Sequence, residues 1–490
     1  MPGLGDLPPE IKHEIARWAL ADGDPAVSNR LGAVNQDWQQ IIDEYRFQNI
    51  HLDKDNIEET MRLIRRRPTR FNLVRHLVYT VKLPTYTPPE YKKFELGTDK
   101  IRNDHVFSNS IHLLFKQLRE WPLTGRKLEL QLRVYSETDR LVYQKYPVYD
   151  GREFFQGGQP IPPSFGEGAC RSTFAFGQDN LEDGHRVRVY GSVLELLKPP
   201  LEPVPVVTTL TFYPECKRFI SEVTMMDLFR ALSGLEEVIV GFSDHHKLKA
   251  VTLRINSRQM IAAALGSLPA GVEKLYFSVD YHPPANQSFL GQNLCQGGNA
   301  SDLLTVAFRN ISQRLKAVCV DGMLGTPELL FPKQVSEAES APFWPHLKRM
   351  ELRFHILEPT GEWLFEPERS EEPLVRFFEA FHGLPPHLTP EEDKNPMQNR
   401  YAPNQLKMNE FYIAVARAVN NMPQLEFMCL QAITYDGHVL CPSHTFRLVI
   451  EDRDARAGWT GDPVFSPSRN VREEWARMAH SRDLDLEFAP

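Results

Sequence analysis

Four residues in the last quarter of the chain carry the thiol and imidazole groups that bind zinc in proteins: Cys429, His438, Cys441 and His444. The paired Cys-x-x-Cys spacing of many structural zinc sites is absent among them. Cys429 also belongs to an alternating apolar run, Leu-Glu-Phe-Met-Cys-Leu over residues 425–430, which is typical of a strand. We therefore interpret Cys429 as a packed thiol and the histidines as surface residues. The sequence predicts no bound metal and no other cofactor.

Motifs for common enzymatic reactions are also missing. The chain has no G-x-x-x-x-G-K-[ST] phosphate loop, no G-x-S-x-G nucleophile elbow and no H-E-x-x-H metal motif. The Gly-Glu-Gly of residues 166–168 begins a dinucleotide-like pattern, but Arg171 occupies its last glycine position. Glu236 and Glu237 are adjacent, so a strand would point them to opposite faces and they would not form an acid-base pair. We predict that the chain is not an enzyme.

The stretch from residue 7 to residue 38 carries a more specific pattern. Pro8 and Pro9 open a predicted helix, where first-turn positions tolerate proline because their N–H groups have no partner inside the helix. Ile11, Ile15 and Trp18 follow at i, i+4 and i+7 and so share one helix face. The Asp-Gly-Asp-Pro sequence of residues 22–25 ends this helix.

A second helical stripe is predicted to begin near Ser28, which we interpret as its N-cap. Its apolar residues alternate three and four apart: Leu31, Val34, Trp38, Ile41 and Tyr45. Fewer than about 55 residues rarely bury enough surface to fold alone, so this helix pair should pack on a partner or on the rest of the chain.

The residues "LPPEIKHEI" and "LGAVNQDWQQIIDEYRFQNIHL" together resemble an F-box, and "FQNIHL" is similar to the F-x-x-I-x-L ending of fungal members. The resemblance covers residues 1–52 and implies docking to a Skp-type adaptor, which links such proteins to a cullin-RING ubiquitin ligase. The positions that match the motif are Leu7, Pro8, Ile11, Ile15, Leu31, Val34 and Trp38. An ordinary pair of amphipathic helices in a globular core is the alternative interpretation.

Residues 53–70 are predicted to form a helical linker, with apolar residues at helical spacing. It ends in the basic run Arg-Arg-Arg-Pro-Thr-Arg of residues 65–70. This run could be a nuclear import signal or a contact for an acidic partner, but we favour a solvated helix end. Two strands are predicted next, "LVRHLVYTVKL" and "KLELQLRVY". Residues 136–191 and 358–410 lack this periodicity and are predicted to be insertions, the second containing a helix at 375–381.

A hexapeptide of the form apolar-x-x-apolar-x-apolar recurs through residues 71–490. It begins at Val207, Leu235, Val272, Leu315, Leu347 and Leu425. Amphipathic helices precede several of these hexapeptides, and helix followed by strand in repetition predicts parallel strands with crossovers on one side. The pattern resembles leucine-rich repeats. The predicted fold class is therefore α/β, with a small N-terminal helical F-box and an irregular leucine-rich-repeat-like α/β solenoid; a compact α/β domain is the alternative.

Composition limits the partners and the compartment. The net charge is −8 without a long basic face, which argues against nucleic-acid binding through phosphate neutralisation. No apolar run approaches the roughly 18 residues of a membrane-spanning helix, and the first residues lack a signal-peptide pattern. Six cysteines in 490 residues do not form a disulfide framework, so we expect reduced thiols in the cytoplasm or nucleus.

The F-box resemblance implies a non-enzymatic substrate-recognition subunit that binds a Skp-type adaptor, through it a cullin, and an unknown protein substrate. An F-box scaffold without ligase activity and an enzyme within the α/β region are the alternatives. Strand alternation predicts an outward sheet face centred on Tyr276, Arg349 and Arg353, where an aromatic anchor and arginines could bind substrate. Either residues 446–450 or 484–488 could instead cover this face, or residues 136–191 could bind the substrate.

Overall fold

The computed structural model describes most of the chain, in segments separated by short and long gaps. The described residues are 7–21, 25–87, 90, 95–123, 125–139, 193–198, 200–212, 218–244, 251–280, 287, 290–295, 301–333, 340–367, 400–435 and 440–488. Most of the predicted insertion at 136–191 and the predicted helix at 375–381 lie outside them. None of the described helices has the length and apolar composition needed to cross a bilayer.

Three short helices come first, and seven further described helices accompany the sheet. Their bounds are α1 Pro9–Ala21, α2 Pro25–Gly32, α3 Gln36–Gln48, α4 Ile57–Arg65, α5 Gly97–Arg119, α6 Glu222–Ala231, α7 Val251–Gly266, α8 Leu303–Ser312, α9 Gln405–Asn420 and α10 Arg469–Ser481. Two short 3-10 helices occupy Pro68–Asn72 and Pro327–Leu329.

Twelve strands form one large sheet in the order β1-β2-β3-β5-β7-β8-β9-β10-β13-β14-β15-β16. Their bounds are β1 Asn49–Leu52, β2 His76–Leu83, β3 Leu128–Ser136, β5 Val207–Phe212, β7 Glu237–Ser243, β8 Lys274–Asp280, β9 Ala317–Leu324, β10 Arg349–His355, β13 Phe427–Tyr435, β14 Leu440–Glu451, β15 Asp454–Gly461 and β16 Asp485–Phe488. Two small pairs complete the strands: β4 Val193–Leu194 with β6 Phe219–Ile220, and β11 Phe365–Pro367 with β12 Arg400–Pro403.

Within the large sheet all pairings from β1 to β13 are parallel, as the repeated helix-strand pattern predicts. The sheet then turns antiparallel through β13, β14 and β15, which the hexapeptide pattern did not predict. The first, fourth and sixth hexapeptide positions are buried in one continuous core together with residues of helices α4 to α10. The chain is therefore a mixed α/β protein with a large, mostly parallel sheet whose core lies on one face.

Several predicted boundaries differ from the observed ones. The second helical stripe is divided into α2 and α3, because Asn35 rather than Ser28 is the N-cap and accepts a hydrogen bond from the Trp38 N–H at 3.0 Å. Strand β1 lies inside the predicted F-box range, yet it pairs with β2 in the large sheet. The predicted linker helix is α4, but its residues Met61 and Ile64 are buried in the main core, so it is part of the sheet region.

One further expectation is wrong. The helix α9 begins inside the predicted insertion at 358–410 and buries Met408, so the core resumes earlier than predicted. The alternative that residues 446–450 or 484–488 cover the outward face is not observed. These residues belong to β14, which lies between β13 and β15, and to the end of the chain around the edge strand β16.

Candidate functional site

Helices α1 to α3 form a small unit with a core of its own. Ala16, Trp38, Ile41 and Ile42 are buried together, and Leu7, Ile15, Leu31 and Tyr45 pack partly buried around them. This cluster is separate from the main core. Burial of one tryptophan and two isoleucines therefore supplies most of the apolar stabilisation of the unit.

The residues of the predicted adaptor-binding motif divide into two groups in this unit. Trp38 is fully buried, while Leu7, Ile15 and Leu31 are partly buried. Pro8 is exposed, and Ile11 and Val34 expose 47% and 44% of their surface. The motif therefore provides both the core of the unit and part of its apolar surface.

Trp18 is the residue of this surface that the motif comparison missed. It lies two helical turns after Ile11 and exposes 69% of its surface, and its indole N–H donates to Glu14 Oε1 at 3.1 Å. Its i+7 spacing from Ile11 was the signal that could have identified it. Large exposed aromatic residues are rare on protein surfaces that bind nothing and are enriched at interface centres.

The face of the sheet opposite the main core is a second candidate surface, which we call the open face. One row of it crosses six adjacent strands in register through Ile239, Tyr276, Cys319, Glu351, Cys429 and Arg447. These residues alternate along their strands with residues of the main core and are not part of it. The strand positions predicted to face outward do so.

Tyr276, Arg349 and Arg353 lie on the open face, but none of them projects freely. The side chain of Tyr276 is only 6% exposed, so it is not the accessible anchor that we predicted. Arg349 donates to Glu351 Oε1 at 2.6 Å and its guanidinium lies 4.4 Å from the Phe427 ring centre. Arg353 pairs with a carboxylate of the neighbouring strand β9 at 3.2 Å. The two arginines are therefore held in place by neighbours on the same face.

Of the four potential zinc ligands, the structure describes the side chains of Cys429 and His444, which lie on opposite faces of the sheet. His438 and the side chain of Cys441 lie outside the described residues. Cys429 lies on the open face, whereas His444 points into the main core, where its Nε2 lies 2.5 Å from the Tyr412 hydroxyl. The sheet therefore separates Cys429 from His444. Burial lowers the pKa of His444 to about 4 and raises the pKa of Cys429 to about 11.

The carboxyl ends of the parallel strands are where α/β proteins usually bind ligands. Here they carry buried ion pairs. Asp244, which follows β7, accepts from Arg254 Nε and Arg258 Nη1, each at 2.8 Å. Burial alone raises the pKa of Asp244, but the two arginines outweigh it and hold that pKa below its ordinary value. Arg258 also pairs with Asp302, the N-cap of α8.

A similar cluster follows β3, where Asp139 pairs with Arg218 at 3.1 Å and accepts from the Tyr86 hydroxyl at 2.5 Å. In the first cluster two arginines balance two aspartates, whereas in the second Arg218 also pairs with the buried Glu95, so two carboxylates share one arginine. This arrangement fastens the strand ends to the elements that follow them.

No protein-family model matches the chain, and no curated protein matches it either.

Proposed function

We propose that the chain is an F-box-type substrate-recognition subunit of a cullin-RING (SCF-type) ubiquitin ligase. In this proposal α1 to α3 bind a Skp-type adaptor, and an irregular leucine-rich-repeat-like α/β region binds a protein substrate. One observation carries it: a small helical unit with its own core exposes apolar residues in the sequence order of an F-box. The function itself rests on that resemblance.

The helical unit is suited to docking because apolar side chains on its surface are exposed to solvent. Ile11, Trp18 and Val34 are exposed. Complete burial of a fully exposed apolar side chain contributes about 1.5 to 3 kcal/mol, and Ile11 and Val34, which are already about half buried, would contribute roughly half of that. A helical partner surface that covers these residues would therefore be bound mainly through apolar contact.

The first experiment is binding of the full-length chain to a purified Skp-type adaptor. Leu7→Ala combined with Pro8→Ala should abolish the complex, because the two residues directly precede α1, where Pro8 is exposed and Leu7 is partly buried. Gln40→Ala is the matched control, since Gln40 is exposed on α3 and its side chain donates to Glu44 of the same helix at 3.1 Å. Undiminished binding by the double variant would disprove the adaptor assignment.

The second experiment separates a ligase subunit from a scaffold. Affinity purification of the chain should recover a cullin together with the adaptor. Recovery of the adaptor without a cullin would favour an F-box scaffold without ligase activity.

The substrate surface is tested on the open face. Tyr276→Ala with Arg349→Gln and Arg353→Gln should abolish capture of the native protein substrate while adaptor binding persists. Glutamine is preferred to a reversed charge because each arginine pairs with a carboxylate on the same face. Arg456→Gln is the control, because Arg456 is an exposed, ion-paired arginine on β15. Retention of every captured protein by the triple variant would exclude this face.

A further inference from the structure

The basic run at residues 65–70 begins at the last residue of α4, and residues 65–69 are exposed as expected of a solvated helix end, whereas Arg70 is not. Arg65 reaches α5, where its Nη2 lies 2.8 Å from Glu120 Oε2 and 3.0 Å from Gln117 Oε1. Arg70 turns the other way, towards α3, and its side chain is only 13% exposed. The run therefore lies between the helical unit and the sheet region and contacts both.

Arg70 makes a dense set of contacts with α3. Its Nε and Nη2 donate to the two carboxylate oxygens of Asp43 at 3.0 and 3.1 Å, which is the bidentate geometry that only arginine provides. Its Nη1 donates to the Leu63 carbonyl of α4 at 2.7 Å, and its guanidinium lies 4.5 Å from the centre of the Phe47 ring. One side chain thus joins α3, α4 and the 3-10 helix at Pro68–Asn72.

Asp43 is the partner of Arg70 in this ion pair. It is 5% exposed on α3, and Gln39 Nε2 donates to it at 2.9 Å while Arg67 lies 3.6 Å away. A buried carboxylate is stable only when it is paired and hydrogen-bonded, so Asp43 needs Arg70 in place. Helix α3 also ends at Gln48 and β1 begins at Asn49, so no flexible linker separates the helical unit from the sheet.

We infer that Asp43 and Arg70 are positioning residues that fix the orientation of the helical unit relative to the sheet region. Arg70 is therefore occupied by internal contacts, whereas Arg66 and Arg67 of the same run are exposed. The consequence of this fixed orientation for ubiquitin transfer rests on the proposed function, because the orientation would set the direction in which a bound substrate faces the ligase. The orientation itself does not depend on that function.

The inference is tested by a distance measurement in the full-length chain without any partner. Spin labels are introduced through an unnatural amino acid at Gln40 on α3 and Lys116 on α5, both exposed. The parent chain should give a single narrow distance distribution. The Arg70→Ala variant should give a broad distance distribution. Arg66 lies in the same run but is exposed, so Arg66→Ala should leave the narrow distribution unchanged.

A double variant separates orientation from simple stability. Asp43→Asn with Arg70→Ala removes the uncompensated buried charge, so thermal stability should recover relative to Arg70→Ala alone. The distance distribution should stay broad, because the bidentate contact is still missing. A narrow distribution in Arg70→Ala, or its restoration in the double variant, would overturn the inference.

The same variants keep this inference distinct from the proposed function. Arg70→Ala should still bind the Skp-type adaptor, because the exposed apolar residues of α1 are untouched, while ubiquitin transfer to a captured substrate falls. If the parent chain binds no adaptor at all, the proposed function fails. The distance measurement still tests whether Asp43 and Arg70 fix the orientation of the helical unit. Unchanged ubiquitin transfer with a broadened distribution would refute the functional consequence alone.

Discussion

Replacing Trp38 by alanine should unfold the helical unit and leave the sheet region folded. Trp38 is fully buried in the small cluster formed with Ala16, Ile41 and Ile42. A buried tryptophan removes roughly 150 to 250 Å² from water, which at about 25 cal/mol per Å² corresponds to about 4 to 6 kcal/mol. Measured truncations of buried tryptophan or phenylalanine cost about 3 to 5 kcal/mol, and we expect a loss in that range.

That loss of free energy exceeds the folding free energy of so small a unit. Its cluster contains four buried residues and lies apart from the main core, so it can open locally without global unfolding. Hydrogen exchange followed by mass spectrometry measures this directly. Peptides from residues 9–42 should lose protection in Trp38→Ala, while peptides from β7 to β10 keep theirs. Adaptor binding should disappear as a result of this opening.

Trp18→Ala is the matched control, because it removes the same side chain from an exposed site on α1. It should leave exchange protection unchanged and weaken adaptor binding directly. Full protection of the helical peptides in Trp38→Ala would refute the reasoning, since it would mean that the buried indole does not hold the unit together. Equal loss of protection in both variants would refute the distinction between core and surface.

Three further perturbations test the sheet region. Asp244→Asn removes the charged carboxylate that Arg254 and Arg258 share, while Arg258 keeps Asp302, and it should destabilise the chain by about 3 to 5 kcal/mol in chemical denaturation. A loss below about 1 kcal/mol would contradict a structural ion pair. Burial lowers the pKa of His444 to about 4, below its value near 6.5 in the unfolded chain. As the pH falls, the imidazole is therefore protonated in the unfolded chain before it is protonated in the folded chain. Stability should therefore fall as the pH drops from about 6.5 towards 4, and His444→Gln should flatten that slope. Gly322→Ala should be strongly destabilising because φ is 83° and an added Cβ would lie 2.0 Å from a backbone oxygen. Gly125→Ala is its control, with φ of 68° but open space around the Cβ, and comparable melting temperatures for the two variants would argue against the steric reason.

The sequence determined the periodic part of this protein. Alternation at the hexapeptides predicted which strand residues enter the core, because successive side chains on a strand must point to opposite faces. Val238, Phe277 and Leu352 are each buried as that rule requires. Parallel pairing also followed from the sequence, since a helix between two strands carries the chain back to the same end of the sheet.

Only the tertiary structure decided features that depend on residues distant in sequence. Asp43 and Arg70 are separated by 27 positions, and no local pattern predicts that one basic residue of a run will pair with a buried carboxylate. The position of Cys429 and His444 on opposite faces of the sheet required the β13–β14 register, because residue types alone do not place two distant side chains relative to each other. The low exposure of Tyr276 was likewise unpredictable, because strand parity gives the face of a side chain but not what packs beside it.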